Sequence, residues 1–145
     1  DQCISSGNAS LSTGFKCESK GDYSVAMGTQ CNASGETSFA YGNQCESKGD
    51  TSVAMGYGNT TLNEGEFACG WFNAIDKADG RIPNQKFSIG NGLAQSHGNL
   101  FSVGHDTDTT TFGIRNNLNK HVKITPQFGS KAEGSKLTWI WEAID

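Results

Sequence analysis

Apolar residues are scarce in this chain, and they never form a long run. Only 34% of the 145 residues are hydrophobic, which is poor material for a single globular core. No stretch approaches the length of a membrane span, so we expect no direct membrane insertion of this segment. Basic residues are also few: the formal net charge is −4 and the sequence pI is about 5.3. Surfaces that bind nucleic acid are usually basic and clustered, so we expect no nucleic-acid partner.

Motifs that carry catalysis are missing as well. The sequence has no nucleophile elbow, phosphate-binding loop or zinc motif, and its cysteines show no C-x-x-C spacing. The three histidines, His97, His105 and His121, lack metal-ligand spacing. We therefore expect no enzymatic activity, no cofactor and no metal.

One enzymatic alternative stays open at this stage. Polysaccharide-cleaving spikes need two carboxyl groups about 5 to 9 Å apart, and Asp22, Glu36 and Asp50 recur at one position of a repeat. Because these acids follow the same glycine each time, the pattern favours a solvated structural edge.

What the chain does contain is a repeat of fourteen residues. Cysteine stands at its first position in four successive copies, as Cys3, Cys17, Cys31 and Cys45. Glycine stands at its fifth and twelfth positions, as Gly7, Gly21, Gly35, Gly49 and Gly14, Gly28, Gly42, Gly56. A fixed period of this size predicts a solenoid with one coil per repeat. The glycines mark two corners, where the chain reaches positive φ or passes close to the next coil.

Between the corners, small and large side chains alternate with the period of a β-strand. A coil of fourteen residues is narrow, so we expect the small set, such as Ser24 and Ala26, to line its interior. The large set then forms an apolar stripe outside, which is too extensive to leave in water and predicts self-association with cyclic symmetry. The predicted interface comprises Val25, Met27, Phe39, Tyr41, Val53, Met55, Phe67 and Cys69, in line with Leu11.

These residues resemble the head repeat of trimeric autotransporter adhesins of the YadA-like kind. The resemblance rests on Ser24–Gly28 (SVAMG), Ser38–Gly42 (SFAYG) and Ser52–Gly56 (SVAMG), and it covers roughly residues 3–72. It implies an all-β, left-handed parallel β-roll assembled as a homotrimer, a fibre head that binds host or matrix ligands. The location it implies is extracellular, on a fibre anchored in an outer membrane. Similar repeats occur in virus and phage fibres, so a virion fibre is the alternative.

The cysteine column departs from that family, which usually carries alanine there. Side chains of in-register parallel neighbours point the same way, which gives a poor dihedral angle for a disulfide. We expect free, buried thiols that act as small hydrophobic groups, although the sequence leaves their oxidation state open. Buried free thiols suit a reducing compartment, so the column favours a virion fibre.

Beyond residue 72 the repeat is interrupted. The strand signature returns at Phe87–Gly90 (FSIG) and, fourteen residues on, at Phe101–Gly104 (FSVG). We therefore predict that residues 73–104 form an inserted, protruding loop followed by two further turns of the roll. Since the chain starts directly in repeat sequence at Asp1, we expect it to be part of a longer fibre.

Residues 105–145 are expected to form a small β-rich cap or tip. Phe112–Ile114 and Val122–Ile124 predict a hairpin around a turn at Asn116–Asn119, and Pro126–Gly134 reads as a loop. The last segment, Leu137–Trp141, is either a strand or the first turn of a stalk helix, and its Trp and Thr residues favour the strand.

Exposed aromatic rings are the best candidates for ligand contact, because sugars and protein loops dock on them. The candidates are Trp71, Phe72, Trp139 and Trp141, with Arg81 in the inserted loop for ligands that bear a carboxylate. The alternative for Trp139 and Trp141 is packing between chains of the trimer. Three functions stay open: an adhesin that binds a glycan or protein receptor on the host, a receptor-binding fibre of a virion, and a purely structural spacer.

Overall fold

The computed structural model shows an all-β chain. It describes residues 2–76, 79, 81–82, 84–94, 96–105, 110–115, 121–128 and 137–144, with side chains as far as His105 and at Phe112. These residues form fifteen strands in two sheets, one of five strands and one of ten. They include no helix that could span a lipid bilayer.

The first half of the chain is a parallel β-solenoid of about five turns, as predicted. Each turn pairs a short strand with a long one. The short strands are β1 (Ile4–Ser5), β3 (Glu18–Ser19), β5 (Asn32–Ala33), β7 (Glu46–Ser47) and β9 (Thr60–Thr61). The long strands are β2 (Leu11–Phe15), β4 (Val25–Thr29), β6 (Phe39–Asn43), β8 (Val53–Tyr57) and β10 (Phe67–Trp71). Neighbouring strands are parallel and offset by fourteen residues, so Val25 pairs with Phe39 and Phe39 with Val53.

The interior of the first four coils holds only small side chains, which confirms the predicted assignment of faces. Residues that are 0 or 1% exposed include Ala26, Ala40, Ala54, Ser24, Ser38 and Ser52, together with Cys17, Cys31 and Cys45. Some buried hydroxyls bond to one another, Ser47 to Ser52 over 2.7 Å and Ser52 to Thr61 over 2.8 Å, and that of Ser24 donates to the carbonyl of Gly21 over 2.6 Å; that of Ser38 has no partner among the described residues. Such pairing removes most of the cost of burying a polar group.

The two glycine columns serve different needs. Gly28 has a φ of 117°, and a methyl group added there would overlap the carbonyl oxygen of Gly42 in the next coil. Gly21 lacks a positive φ, but a methyl group there would overlap the backbone of Gly35. The backbone is also left-handed at corner residues other than glycine, such as Gln30 at φ 54°. There the amide of Gln30 donates to the carbonyl of Phe15 in the preceding coil over 2.7 Å.

After the solenoid the sheet continues, but it changes direction. Strand β11 (Gln85–Asn91) adds to β10 in parallel, with Phe67 opposite Phe87, but among the described residues no short strand pairs with β9 beyond it, so the first of the two further turns stays a prediction. The second is wrong: β12 (Asn99–His105) pairs with β11 antiparallel, with Ser88 opposite Ser102. The motifs F-S-I and F-S-V read alike in both directions, because a serine lies between two large apolar residues. The pattern therefore fixes which face is apolar without fixing strand direction.

Three more antiparallel strands follow, β13 (Thr110–Arg115), β14 (His121–Phe128) and β15 (Leu137–Ile144). The predicted hairpin is confirmed by the pairing of Phe112 with Ile124. The last segment is a strand, and the helical alternative is wrong. The loop predicted from Pro126 is wrong as far as Phe128, because Pro126 lies inside β14 opposite Trp139. The predicted turn at Asn116–Asn119 and the loop after Phe128 lie outside the described residues, and the domain boundaries and the cap stay predictions.

The stacking of coils predicts a large loss of stability for one substitution and a small change for another two residues away. Gly28→Ala places a methyl group against the next coil at a strained φ, so it should lower the free energy of unfolding by about 3 kcal/mol. Gln30→Gly keeps the backbone hydrogen bond, and relief of left-handed strain offsets the flexibility of glycine, so the change should stay under about 1 kcal/mol. Urea unfolding at one fixed protein concentration measures both. Equal losses would contradict the role given to Gly28.

Candidate functional site

The apolar stripe predicted from the sequence forms one face of the ten-stranded sheet. In-register pairing stacks Val25, Phe39 and Val53 in one column and Met27, Tyr41 and Met55 in the next. Seven of the eight predicted interface residues are half-buried in the isolated chain and Tyr41 is 48% exposed. Phe39 also stacks on Tyr41 along its own strand, with ring centroids 6.2 Å apart, yet all eight side chains keep part of their surface exposed.

The same face runs on past the reversal of strand direction. The rings of Phe67 and Phe87 stack with centroids 5.6 Å apart and an interplanar angle of 7°. Phe101 follows at 6.1 Å from Phe87, and Phe112 at 6.4 Å from Phe101. The apolar face therefore extends from the solenoid into the antiparallel strands without a break.

The predicted ligand-binding aromatics have different environments. Trp71 ends β10 with 62% of its surface exposed, which suits a contact residue. Phe72 is only 8% exposed, so its prediction as an exposed ring is wrong. Its ring lies 4.8 Å from that of Tyr57 and 5.5 Å from that of His97, and it fills the space beside Gly58 that a larger residue would need. Trp139 and Trp141 lie in β15, but their side chains are outside the described part of the chain.

Arg81 holds a carboxylate of its own chain, which corrects its prediction as a ligand anchor. Its guanidinium donates to the two oxygens of Glu66 over 2.9 and 2.7 Å. The side chain of Glu66 is 0% exposed and that of Arg81 is 10% exposed. A guanidinium group whose two terminal nitrogens already bond one carboxylate binds a second carboxylate poorly. A structural role therefore explains Arg81 better than ligand binding.

Glu66 is the centre of a buried polar network at the end of the solenoid. Besides Arg81 it accepts the backbone amides of Leu62 and Asn63 over 2.9 and 3.0 Å, and the side-chain amide of Gln85 over 2.9 Å. Gln85 in turn accepts a hydrogen bond of 2.7 Å from Asn99. The network ties the inserted segment and β12 to the last coil.

Sequence reasoning missed this network, although a signal was present. Glu66 stands at the repeat position that Ser24, Ser38 and Ser52 occupy in earlier coils. A carboxylate in a column of buried serines needs a partner, and Lys77 and Arg81 are the first two basic residues that follow it in the sequence. The inserted loop is also less protruding than predicted, because Ala74 and Ile82 are buried.

A shallow cleft of about 380 Å³ lies where the inserted segment meets the short strands. Its lining includes Leu62, Phe72 and Ile75 as apolar groups and Glu46 and Lys48 as an ion pair; Thr60, Gln44, Gly58, Asp76 and His97 complete it. The Nδ1 atom of His97 is buried and has no hydrogen-bond partner among the described residues.

The carboxylate column is built into the backbone of the coils. Asp22 accepts the amide of Asn8 over 2.8 Å, and Asp50 accepts the amide of Glu36 over 2.9 Å. Asn8 donates two hydrogen bonds to Asp22, and they hold the pKa of Asp22 below its usual range. The bond from the backbone amide has the larger effect, and the bond from the side chain adds to it. These contacts support the structural interpretation of the column over a catalytic one.

The cysteine column lies inside the coils, as predicted. Cys17, Cys31 and Cys45 are buried, Cys3 is half-buried at the first coil, and all are free thiols. Burial raises the pKa of Cys17. A hydrogen bond with Cys45, together with burial, raises the pKa of Cys31, and the same hydrogen bond lowers the pKa of Cys45.

Comparison with known proteins identifies part of the solenoid. Residues 19–44 match the family described as YadA head domain repeat, in two copies, which confirms the resemblance to YadA-like head repeats. No curated protein and no solved structure gave a significant match.

The buried ion pair predicts a large effect of a small substitution. Glu66→Gln leaves the guanidinium of Arg81 buried without its counter-charge, so unfolding should become easier by about 3 kcal/mol. Glu64→Gln, an exposed change two residues earlier, should shift stability by less than about 0.5 kcal/mol. Thermal and urea unfolding compare the two variants, and similar stabilities would argue against a structural role for the pair.

Proposed function

Because residues 19–44 are YadA head repeats, we propose that this chain is a head segment of a homotrimeric attachment fibre exposed at a cell surface. Repeats of this family build adhesin fibres and are not enzymatic in general, so the proposed role is non-enzymatic. The proposed assembly is a left-handed parallel β-roll with a β-rich C-terminal cap, anchored in an outer membrane through other parts of the fibre.

The observation that carries the proposal is the unbroken apolar face. Its columns continue from Leu11, which is 53% exposed, through the five coils to Phe112. Monomeric soluble proteins rarely leave a contiguous apolar surface of this extent in water. A second and third copy of the chain, related by a threefold axis along the solenoid, would cover it with the same residues from each chain.

Trp71 is the proposed ligand contact in the described part of the chain. A Trp ring offers an apolar surface with a hydrogen-bond donor at its edge, which suits both sugars and protein loops. We propose a host-cell, matrix or glycan ligand, with Trp139 and Trp141 as further contacts. Phe72 and Arg81 are left out because both are engaged within the chain.

A receptor-binding fibre of a virus or phage is the second candidate. The buried column of free thiols supports it, because exported proteins usually meet oxidising conditions and cytoplasmic assembly keeps thiols reduced. A spacer without a ligand is the third candidate, and the ligand experiment below separates it from the other two.

Trimer formation is tested by a charge placed on the apolar face. Phe39→Asp puts a carboxylate into the proposed interface, so the variant should sediment as single chains, whereas the wild type should sediment at three times 15.4 kDa. Thr37→Asp lies in the same coil at an exposed left-handed corner that Asp tolerates, so this control should keep the wild-type mass. A well-folded wild type that sediments as one chain would refute the assembly.

Ligand contact is tested on arrays of glycans and matrix proteins. Trp71→Ala should weaken binding at least about tenfold, since removal of an aromatic contact at the centre of an interface often costs 2 kcal/mol or more. Tyr23→Ala removes another exposed aromatic ring, 59% exposed, and should leave binding unchanged. The double variant Trp139→Ala and Trp141→Ala tests the last strand in the same way. Absence of binding by the wild type would leave the spacer.

A further inference from the structure

The four cysteines of the inner column are stacked by the backbone itself. The carbonyl of Cys17 accepts the amide of Ile4 over 2.8 Å, that of Cys31 accepts Glu18 and that of Cys45 accepts Asn32, each over 2.8 Å. The strands that follow them pair in register. Neighbouring cysteines therefore lie one strand spacing apart, about 4.8 Å.

The thiols donate to backbone carbonyls, that of Cys3 to Gly14 over 3.2 Å and that of Cys31 to Gly42 over 3.3 Å. Four cysteines in a row, taken as two neighbours at a time, form the pairs Cys3 with Cys17 and Cys31 with Cys45. The three inner sulfurs lie in a dry interior, since Cys17, Cys31 and Cys45 are at most 1% exposed. Each pair presents two thiols, one above the other, in neighbouring coils.

This geometry is poor for a disulfide and for a four-coordinate metal. A disulfide needs sulfurs about 2.05 Å apart and a dihedral angle near 90°, whereas stacked side chains of parallel neighbours point the same way. Tetrahedral zinc needs four ligands that converge. Within the described residues no three His, Cys, Asp or Glu side chains converge on a common point, because the cysteines lie in a row.

A row of thiols instead suits a metal ion with two ligands in line. A metal–thiolate bond is about 2.3 Å long, so two bonds in line span about 4.6 Å, close to the strand spacing. Thiolate ligands select soft ions such as Cu(I). We propose that the inner cysteine column binds Cu(I) or a related soft monovalent cation, one ion between Cys3 and Cys17 and one between Cys31 and Cys45.

The binding step is balanced without a redox partner. Two S–H bonds break and two Cu–S bonds form at each site, the two protons leave to solvent, and copper stays as Cu(I). The resulting pair of thiolates with one cation carries one negative charge. Backbone amides of the following coil face these sulfurs, that of Cys45 towards Cys31 and that of Asn59 towards Cys45, so the charge has hydrogen-bond donors.

Spacing rules for sequence motifs do not detect such a site. Ligands fourteen residues apart match no metal motif, and only the stacking of coils brings them together. The proposal does not depend on adhesion, because it concerns the interior of the solenoid.

The experiment titrates the reduced protein with Cu(I) under anaerobic conditions, with a coloured Cu(I) chelator as competitor. We expect two ions per chain for the wild type, one for Cys17→Ala and one for Cys31→Ala, and none for the double variant. Cys69→Ala is the matched control, because Cys69 is a half-buried thiol on the outer face, and it should still bind two. X-ray absorption should show two sulfur neighbours around copper, and Zn(II) should bind at least a hundredfold more weakly.

Folding of the variants is checked independently by far-UV circular dichroism. The coil interior already packs Ala33 and Ala40 without exposure, so alanine at Cys17 or Cys31 fits. Wild-type protein that is folded and reduced but binds no Cu(I) would overturn the proposal. Full binding by the folded double variant, loss of binding in Cys69→Ala, or three or more sulfur neighbours per copper would overturn it too.

Discussion

The close approach of neighbouring coils governs this molecule. Backbone passes so near backbone at Gly21 and Gly28 that a methyl group would not fit, and the interior between the two sheets admits nothing larger than cysteine until the last coils. A chain packed in this way buries hydroxyls, thiols and methyl groups, while Val, Phe, Met and Tyr are left on the outside. The apolar side chains that an ordinary domain would use for its own core are therefore available for contact between chains.

The end of the solenoid shows what replaces this packing. The cysteine column gives way to Asn59 and Asn73, both 0% exposed. Asn59 donates to the carbonyls of Met55 and Gly70 over 2.6 and 2.7 Å, and it accepts the amide of Asn73 over 3.0 Å. Together with the Glu66 network, these bonds satisfy backbone groups that no further coil would cover. The chain then turns back on itself, yet its aromatic residues stay on the same face.

The sequence predicted the features that depend on period and size. A period of fourteen, a small residue at each inward position and a cysteine at each first position were enough to place Ala26 inside, Val25 outside and Cys31 in the core. The direction of β12 could not be predicted, because its pattern is symmetric about Ser102. Nor could the burial of Phe72 or the pairing of Arg81, since both depend on how the inserted segment folds back over the last coil. Such contacts depend on the course of the inserted segment, and the fourteen-residue repeat carries no information about that course.

The central claim is that folding of this chain and association with its copies are linked, because the large apolar side chains lie on a shared face. Linkage of this kind makes thermal stability depend on concentration. The most direct measurement is the midpoint of thermal unfolding over a hundredfold range of protein concentration, followed by circular dichroism. The account predicts a midpoint that rises steadily with concentration. A midpoint that stays constant over the whole range, with the solenoid folded at the lowest concentration, would contradict it.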